Sequence, residues 1–201
     1  MPNEYLHMGE VIEANTQQFK AQVLRNERGT EWARVPALGA LVRVHCQETN
    51  TQVLGVVCQV ETTGVDSVHR PVALNLTREQ LRQQQPQIFD LLRTDFLAVT
   101  AGFIDKGIYF QYFPPYPPQI HDFAFSCSDE EVKRFTDRLF CLRTLLANPA
   151  VNDEVVAAFV RQAQRCRVGD ADFLLRAGRE LSGLLKDNYE RLSGILLRIQ
   201  H

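Results

Sequence analysis

At 201 residues, 45% apolar and 23% charged, with a formal net charge of −2, the chain has the makeup of a globular protein of one domain or two small ones. Ample apolar content with little net charge excludes a disordered chain, and no stretch reaches the roughly 18–20 uninterrupted apolar residues of a membrane-spanning helix. The opening Met1-Pro2-Asn3-Glu4-Tyr5 lacks the basic segment and apolar run of a secretory signal, so a cytoplasmic protein is expected.

Residues 8–14 and 18–25 read as paired strands, the second alternating Phe19, Ala21 and Val23 with Lys20, Gln22 and Leu24. Glu27-Arg28-Gly29-Thr30 supplies a turn. A strand through Leu41, Val42 and Val44 follows Gly39, and another spans 53–60, where Gly55 predicts a bulge or sharp bend of the kind a closed barrel needs. Thr77-Arg78-Glu79-Gln80 has the form of a capping box, predicting a short helix to about Gln84, and Pro86 can start a second one through Leu92. The cluster Gln83, Gln84, Gln85 and Gln87 reads as a solvated polar face. Strands over 95–104 and 108–113 are joined by Asp105-Lys106-Gly107, a hairpin turn with glycine available for positive φ. Pro114-Pro115-Tyr116-Pro117-Pro118 stiffens the chain into an extended connector, and a last strand spans 122–126.

From Ser128 the pattern turns helical. Ser128-Asp129-Glu130-Glu131 is a second capping box, opening a helix with Val132, Phe135, Leu139, Leu142, Leu145 and Leu146 at three- and four-residue steps. Asn148-Pro149 ends it, Asn152-Asp153 opens a second, and Gly169 closes that one. Asp170 caps a third, long helix whose apolar stripe includes Leu192, Ile195 and Ile199. Gly178, Gly183 and Gly194 weaken it by about 1 kcal/mol each, so tertiary packing must hold it or it breaks in two. The expected fold is α+β: a small β-barrel over residues 1–127 with a helical insertion near 77–92, then a helical domain of about three helices over 128–201. The helices' apolar face is wider than so small a unit buries alone, which predicts packing on the barrel or on another subunit.

Chemistry is sparse. The charge is −3 over residues 1–127 and +1 over 128–201, so neither half carries the basic excess of a phosphate-binding module, and direct nucleic-acid binding is not expected. Cys46, Cys58, Cys127, Cys141 and Cys166 form no CxxC or CxH pair and read as free thiols in a reducing compartment. Gly102 to Gly107 has the glycine spacing of a phosphate loop, but Ile108-Tyr109 stand where the lysine and hydroxyl must be. His45 adjoins Cys46, yet neighbouring strand residues face opposite sides. No catalytic set, cofactor site or metal site is assigned. An enzyme would need a pocket holding His45, His69 or His121 beside a carboxylate.

The run Gly9-Glu10-Val11-Ile12 and Phe19-Lys20-Ala21-Gln22-Val23, then Gly39-Ala40-Leu41-Val42-Arg43-Val44 and Val53-Leu54-Gly55-Val56-Val57, resembles the HAS barrel. That barrel stands at the N-terminus of HerA-type DNA-translocating ATPases and of the α and β subunits of rotary ATP synthase. Ala101-Gly102-Phe103-Ile104, the proline segment and Phe125-Ser126-Cys127-Ser128-Asp129-Glu130-Glu131 resemble the end of the HerA barrel, so the resemblance covers about residues 6–131. No counterpart of the ATPase lysine, magnesium-binding hydroxyl or acidic strand follows, so ATP hydrolysis does not carry over. What the resemblance implies is an assembly surface, since such barrels ring together and dock partners. The expectation is a non-catalytic protein–protein interaction or assembly module, with a protein partner or self-association. Its expected surfaces are the proline segment with Tyr112, Phe113 and Tyr116, and the helical stripe with Leu192, Ile195 and Ile199. The alternative is an accessory subunit of a DNA-processing HerA-like ATPase or nuclease machine, which requires Arg161, Arg165 and Arg167 on one exposed face.

Overall fold

The computed structural model describes residues 6–26, 29–30, 34–65, 71–167, 169–170 and 172–200. Strands β1 (His7–Ala14) and β2 (Gln18–Val23) are followed by the two-residue β3 (Arg25–Asn26) and β4 (Gly29–Thr30). Then come β5 (Leu41–Cys46) and β6 (Thr51–Gly64), helix α1 (Arg78–Gln84), a 3-10 turn (Pro86–Leu91), β7 (Leu92–Asp105), β8 (Ile108–Phe110) and β9 (Phe123–Ser126). Five helices complete the chain: α2 (Asp129–Thr136), α3 (Cys141–Ala147), α4 (Asp153–Arg165), α5 (Asp172–Leu184) and α6 (Tyr189–Gln200).

Six strands close into an antiparallel barrel in the order β2-β1-β9-β5-β6-β7, with β7 pairing back onto β2 through Gln18 opposite Val99 to Gln22 opposite Asp95. The alternation read from the sequence decides what faces in. Phe19, Ala21 and Val23 of β2, Val42 and Val44 of β5, Val53 and Val57 of β6, and Phe96 and Ala98 of β7 fill the interior. Gly55 lies at a register break between β6 and β7, as expected, and its missing side chain makes room for the Phe19 ring. A Cβ there would sit 2.6 Å from that ring, so glycine permits both the bend and the filling of the narrow interior.

The same strands show a second apolar row on their outer side. Leu41, Leu54, Val56, Val99, Ala101 and Ile104 share one core with Phe135, Leu142, Phe159, Phe173, Leu181 and Ile195 of the helices. The helices therefore pack on the barrel wall, which answers the excess of apolar surface in the sequence. Burying a phenylalanine fully, as Phe135, Phe159 and Phe173 are buried, contributes about 2–3 kcal/mol each. Gly39 marks the closest approach: its φ is +75°, and a Cβ would lie 2.4 Å from the Phe159 amide nitrogen of α4.

Both capping boxes form as read: Thr77 with Gln80, and Ser128 with Glu131. Asp170 accepts from the amides of Asp172 and Phe173 at the start of α5. The hairpin turn is a two-residue loop with Lys106 and Gly107 both at positive φ. Glu27 and Arg28 of the first expected turn lie outside the described residues, and β3 pairs with β4 on either side of them.

The helix count is higher than the periodicity suggested, because two continuous apolar patterns are broken by tertiary contacts. The first breaks between Thr136 and Cys141, where Gln111 reaches in from the strand side. The third breaks after Leu184, and Asn188 caps the new start by accepting from the Arg191 amide. The strand expected over 108–113 stops at Phe110 for the first reason: Gln111 caps helices instead of extending the ladder.

Candidate interaction surface

β7 and β8 form a hairpin that extends beyond the closed part of the barrel, and aromatic side chains crowd its end. The rings of Phe103 and Phe110 stack with centroids 4.9 Å apart, and Tyr112 meets them edge-on at 5.4 and 5.5 Å. Gly102 allows the hairpin to close so tightly, since a Cβ there would meet the Phe110 carbonyl oxygen at 2.1 Å. Tyr112, Phe113 and Tyr116 are 58%, 39% and 68% exposed, while Pro114 and Pro118 are buried and pin the segment at two points. Ile108 and Phe140 add exposed apolar surface that the sequence reading did not select. The signal for Ile108 was its place directly after an exposed Lys-Gly turn.

Gln111 fixes this ledge to the helices. Its Nε2 donates to the carbonyl oxygens of Phe135 and Arg138, the latter at 2.6 Å, and its Oε1 accepts from the Cys141 amide at 2.9 Å. One side chain thus satisfies the end of α2 and the start of α3, which has no side-chain cap of its own. The order of residues is what matters: the amide that locks the backbone stands beside the ring that is displayed.

Beyond Pro118, a cleft of about 290 Å³ opens between the β5–β6 turn and the proline segment, lined by Cys46, Glu48, Tyr116, Gln119 and Asp122. Gln119 closes it, donating from Nε2 to Glu48 at 2.7 Å and from its backbone to Asp122 at 2.8 Å. Burial, reinforced by the nearby Asp122 charge, pushes the Cys46 thiol up to about 11. A smaller cavity of about 180 Å³ lies in the seam between barrel and helices, where Cys127 and Cys166 face Asp129. Burial raises both of those thiols as well, that of Cys166 to about 11.

The second expected surface is largely internal. Ile195 is fully buried in the shared core, and Leu192 and Ile199 are half-buried against it. The exposed apolar residues of these helices are instead Leu174, Leu175, Tyr189 and Leu197. The apolar stripe from Phe173 to Ile199 allows one long helix or one broken in two; it breaks after Leu184, and α6 turns so that its part of the stripe faces α4.

The three arginines form no common exposed face. Arg167 is buried, donating to the carbonyl oxygens of Ala163 and Lys133 and lying 4.3 Å over the Phe173 ring. Arg161 donates to the Arg198 carbonyl oxygen, and Arg165 alone is exposed. His45 is exposed and Cys46 buried, on opposite faces of β5 as the strand geometry required. His121 pairs with Glu10, but on the surface with its side chain 79% exposed rather than in a cavity. His69 lies outside the described residues.

Among the described residues, no helix is long and apolar enough to cross a membrane, and no three His, Cys, Asp or Glu side chains are placed to hold a metal ion. No family model and no curated protein matches this chain.

Proposed function

We propose that this chain is a non-catalytic interaction or assembly module built on a HAS-type barrel, which presents the aromatic ledge of Tyr112, Phe113 and Tyr116 to a protein partner or to further copies of itself. The observation that carries the function is the ledge: exposed aromatics on a rigid frame, with Tyr112 held edge-on against Phe103 and Phe110 and the segment fixed by Gln111 and two buried prolines. Aromatic side chains held in one conformation lose little entropy on binding and supply large contact area, which is why they dominate interface hot spots. The HAS assignment draws support from the contacts among the motif residues. A Cβ on Gly9 would meet the Gln22 carbonyl oxygen at 2.4 Å, and Phe19 fills the space left by Gly55, so the glycines and the apolar pattern depend on one another.

The test is capture from the native host with tagged protein, read by mass spectrometry, alongside light scattering on the purified chain. Wild type is expected to hold a stable partner or to self-associate, and Tyr112→Ser with Tyr116→Ser is expected to lose it without loss of fold. A monomer that captures nothing, or a partner retained by the double variant, overturns the assignment of this ledge.

A further inference from the structure

At the opposite end of β7 a second surface has a different character. Leu92 and Phe103 are 11 residues apart on that strand, roughly 35 Å of extended chain, so the two faces are physically separate. Here the insertion between β6 and β7 forms an apolar groove of about 300 Å³, with Val72 and Leu74 on one side, Leu81 of α1 on the other, and Ile88, Phe89 and Leu92 beneath. Helix α1 buries none of its residues, although its capping box specifies it fully. Val72 is 72% exposed, Leu74 and Leu91 of the groove wall are also exposed, and Val65 extends the apolar surface beyond the groove itself.

The charge at this groove is one-sided. Arg78 and Arg82 stand one turn apart on α1 and lie 5.1 and 5.5 Å over the Phe89 ring. Among the described residues no carboxylate lies within ion-pair distance of either. The neighbouring acids are engaged elsewhere: Asp90 faces Arg25 at 3.6 Å, and Glu79 accepts from Gln83. Stacking on an aromatic ring fixes each guanidinium in orientation while leaving its N–H edge free to grip a carboxylate.

We infer that this groove is a docking site for an acidic, leucine-type peptide segment of a partner protein, its aliphatic side chains seated between Val72, Leu81 and Leu92 and its carboxylates on Arg78 and Arg82. A peptide fits better than a small amphiphile, because the apolar surface spreads past the groove and needs a larger body to exclude water from it. This rests on the interaction-module reading and names a partner class for it, but at a different face, so either can fail alone.

The experiment uses the full chain and a fluorescein-labelled decapeptide of alternating leucine and aspartate pairs, followed by fluorescence anisotropy. A second probe replaces each aspartate with asparagine, and decanoate is tested as a competitor. Saturable binding of the acidic probe is expected, weaker by about tenfold for the asparagine probe and for Arg78→Gln with Arg82→Gln, and weaker in 0.5 M salt. Leu81→Asp is expected to abolish it, while Tyr112→Ser with Tyr116→Ser leaves it unchanged. Changing the probe rather than the protein keeps the test independent of any folding defect. Failure of the acidic probe to bind at 1 mM, equal binding of both probes, or displacement by micromolar decanoate overturns the inference. Loss of binding in the tyrosine variant would place the probe on the ledge and overturn it too.

Discussion

Replacing Gln111 by leucine removes three hydrogen bonds at once while keeping nearly the same volume. Each is worth about 0.5–1.5 kcal/mol net, and the carbonyls of Phe135 and Arg138 and the Cys141 amide lose their protein partner together. Because the site is half-buried, water recovers part of the loss, and a total near 2 kcal/mol is expected. In urea unfolding followed by circular dichroism, that is a midpoint lower by roughly 1 M for a slope of about 2 kcal/mol/M. Gln111→Glu is the sharper comparison. The carboxylate still accepts from the Cys141 amide, but its second oxygen faces two carbonyl oxygens at the negative end of α2, where it has nothing to donate. It should cost at least as much as leucine at pH 7. The glutamate pKa would be raised in the folded state by that repulsion, so its penalty is absent at low pH, where a protonated oxygen donates, and grows as pH rises through the carboxylate range. Refutation is simple: both variants within about 0.5 kcal/mol of wild type, or glutamate equal to glutamine at pH 7, would show that Gln111 does not join these helices.

Gly39→Ala should destabilise by about 2–4 kcal/mol, because it combines a positive φ with collision against the backbone of α4, and near-ultraviolet circular dichroism should show loosened packing of the helices on the barrel. Arg167→Met is expected to cost about 2–4 kcal/mol by thermal or urea unfolding, since it leaves the Lys133 and Ala163 carbonyls without their donor; recovery of wild-type stability would refute its role as a staple. The thiols offer a pH test. Burial raises Cys46 and Cys166 to about 11 and Cys141 to about 12, from an ordinary value of 9.0. A raised thiol favours the folded state's protonated form, so stability is intact below pH 9 and lost as pH rises from 9 through 11 to 12, with native thiols nearly inert to Ellman's reagent at pH 8. Rapid labelling at pH 8, or a flat stability profile up to pH 12, would contradict this.

Local patterns carried far because several of the decisive interactions here are local. Thr77-to-Gln80 and Ser128-to-Glu131 cap their helices within four residues, and Lys106-Gly107 shapes its hairpin from φ preference alone. Strand alternation identified Phe19, Ala21 and Val23 as inward-facing, and Gly55 announced the bend in β6. On the ledge, Tyr112, Phe113 and Tyr116 were legible as aromatics beside prolines, a composition that cannot fold away easily.

Where apolar periodicity alone was used, it misplaced surface and interior. Ile195 belongs to the core because α6 turns back on α4 after a break that the sequence marks only weakly, through Gly183 and Asn188. The DNA-machine alternative requires Arg167 on an exposed face, yet its buried position depends on carbonyls from Lys133 and Ala163, one of them 34 residues away. The groove at Phe89 escaped notice because its walls come from 71–74, 81 and 88–92, each too short to show a pattern.

Composition, alternation and caps therefore determined the α+β class, the barrel strands and the starts of α1, α2, α4 and α5, since propensity and hydrogen bonding within a few residues set those. Tertiary structure alone decided that β7 returns to β2, that the barrel's outer wall and the helices share one core, and that Gln111 cuts a helix in two. Those outcomes rest on contacts between distant residues, whose free energy is realised only once the chain has closed on itself. The length and near-zero charge that began as neutral facts now have a place in the fold: among the described residues the barrel's outer wall and the helices share one core, and two arginines without an ion-pair partner stand together beside Phe89.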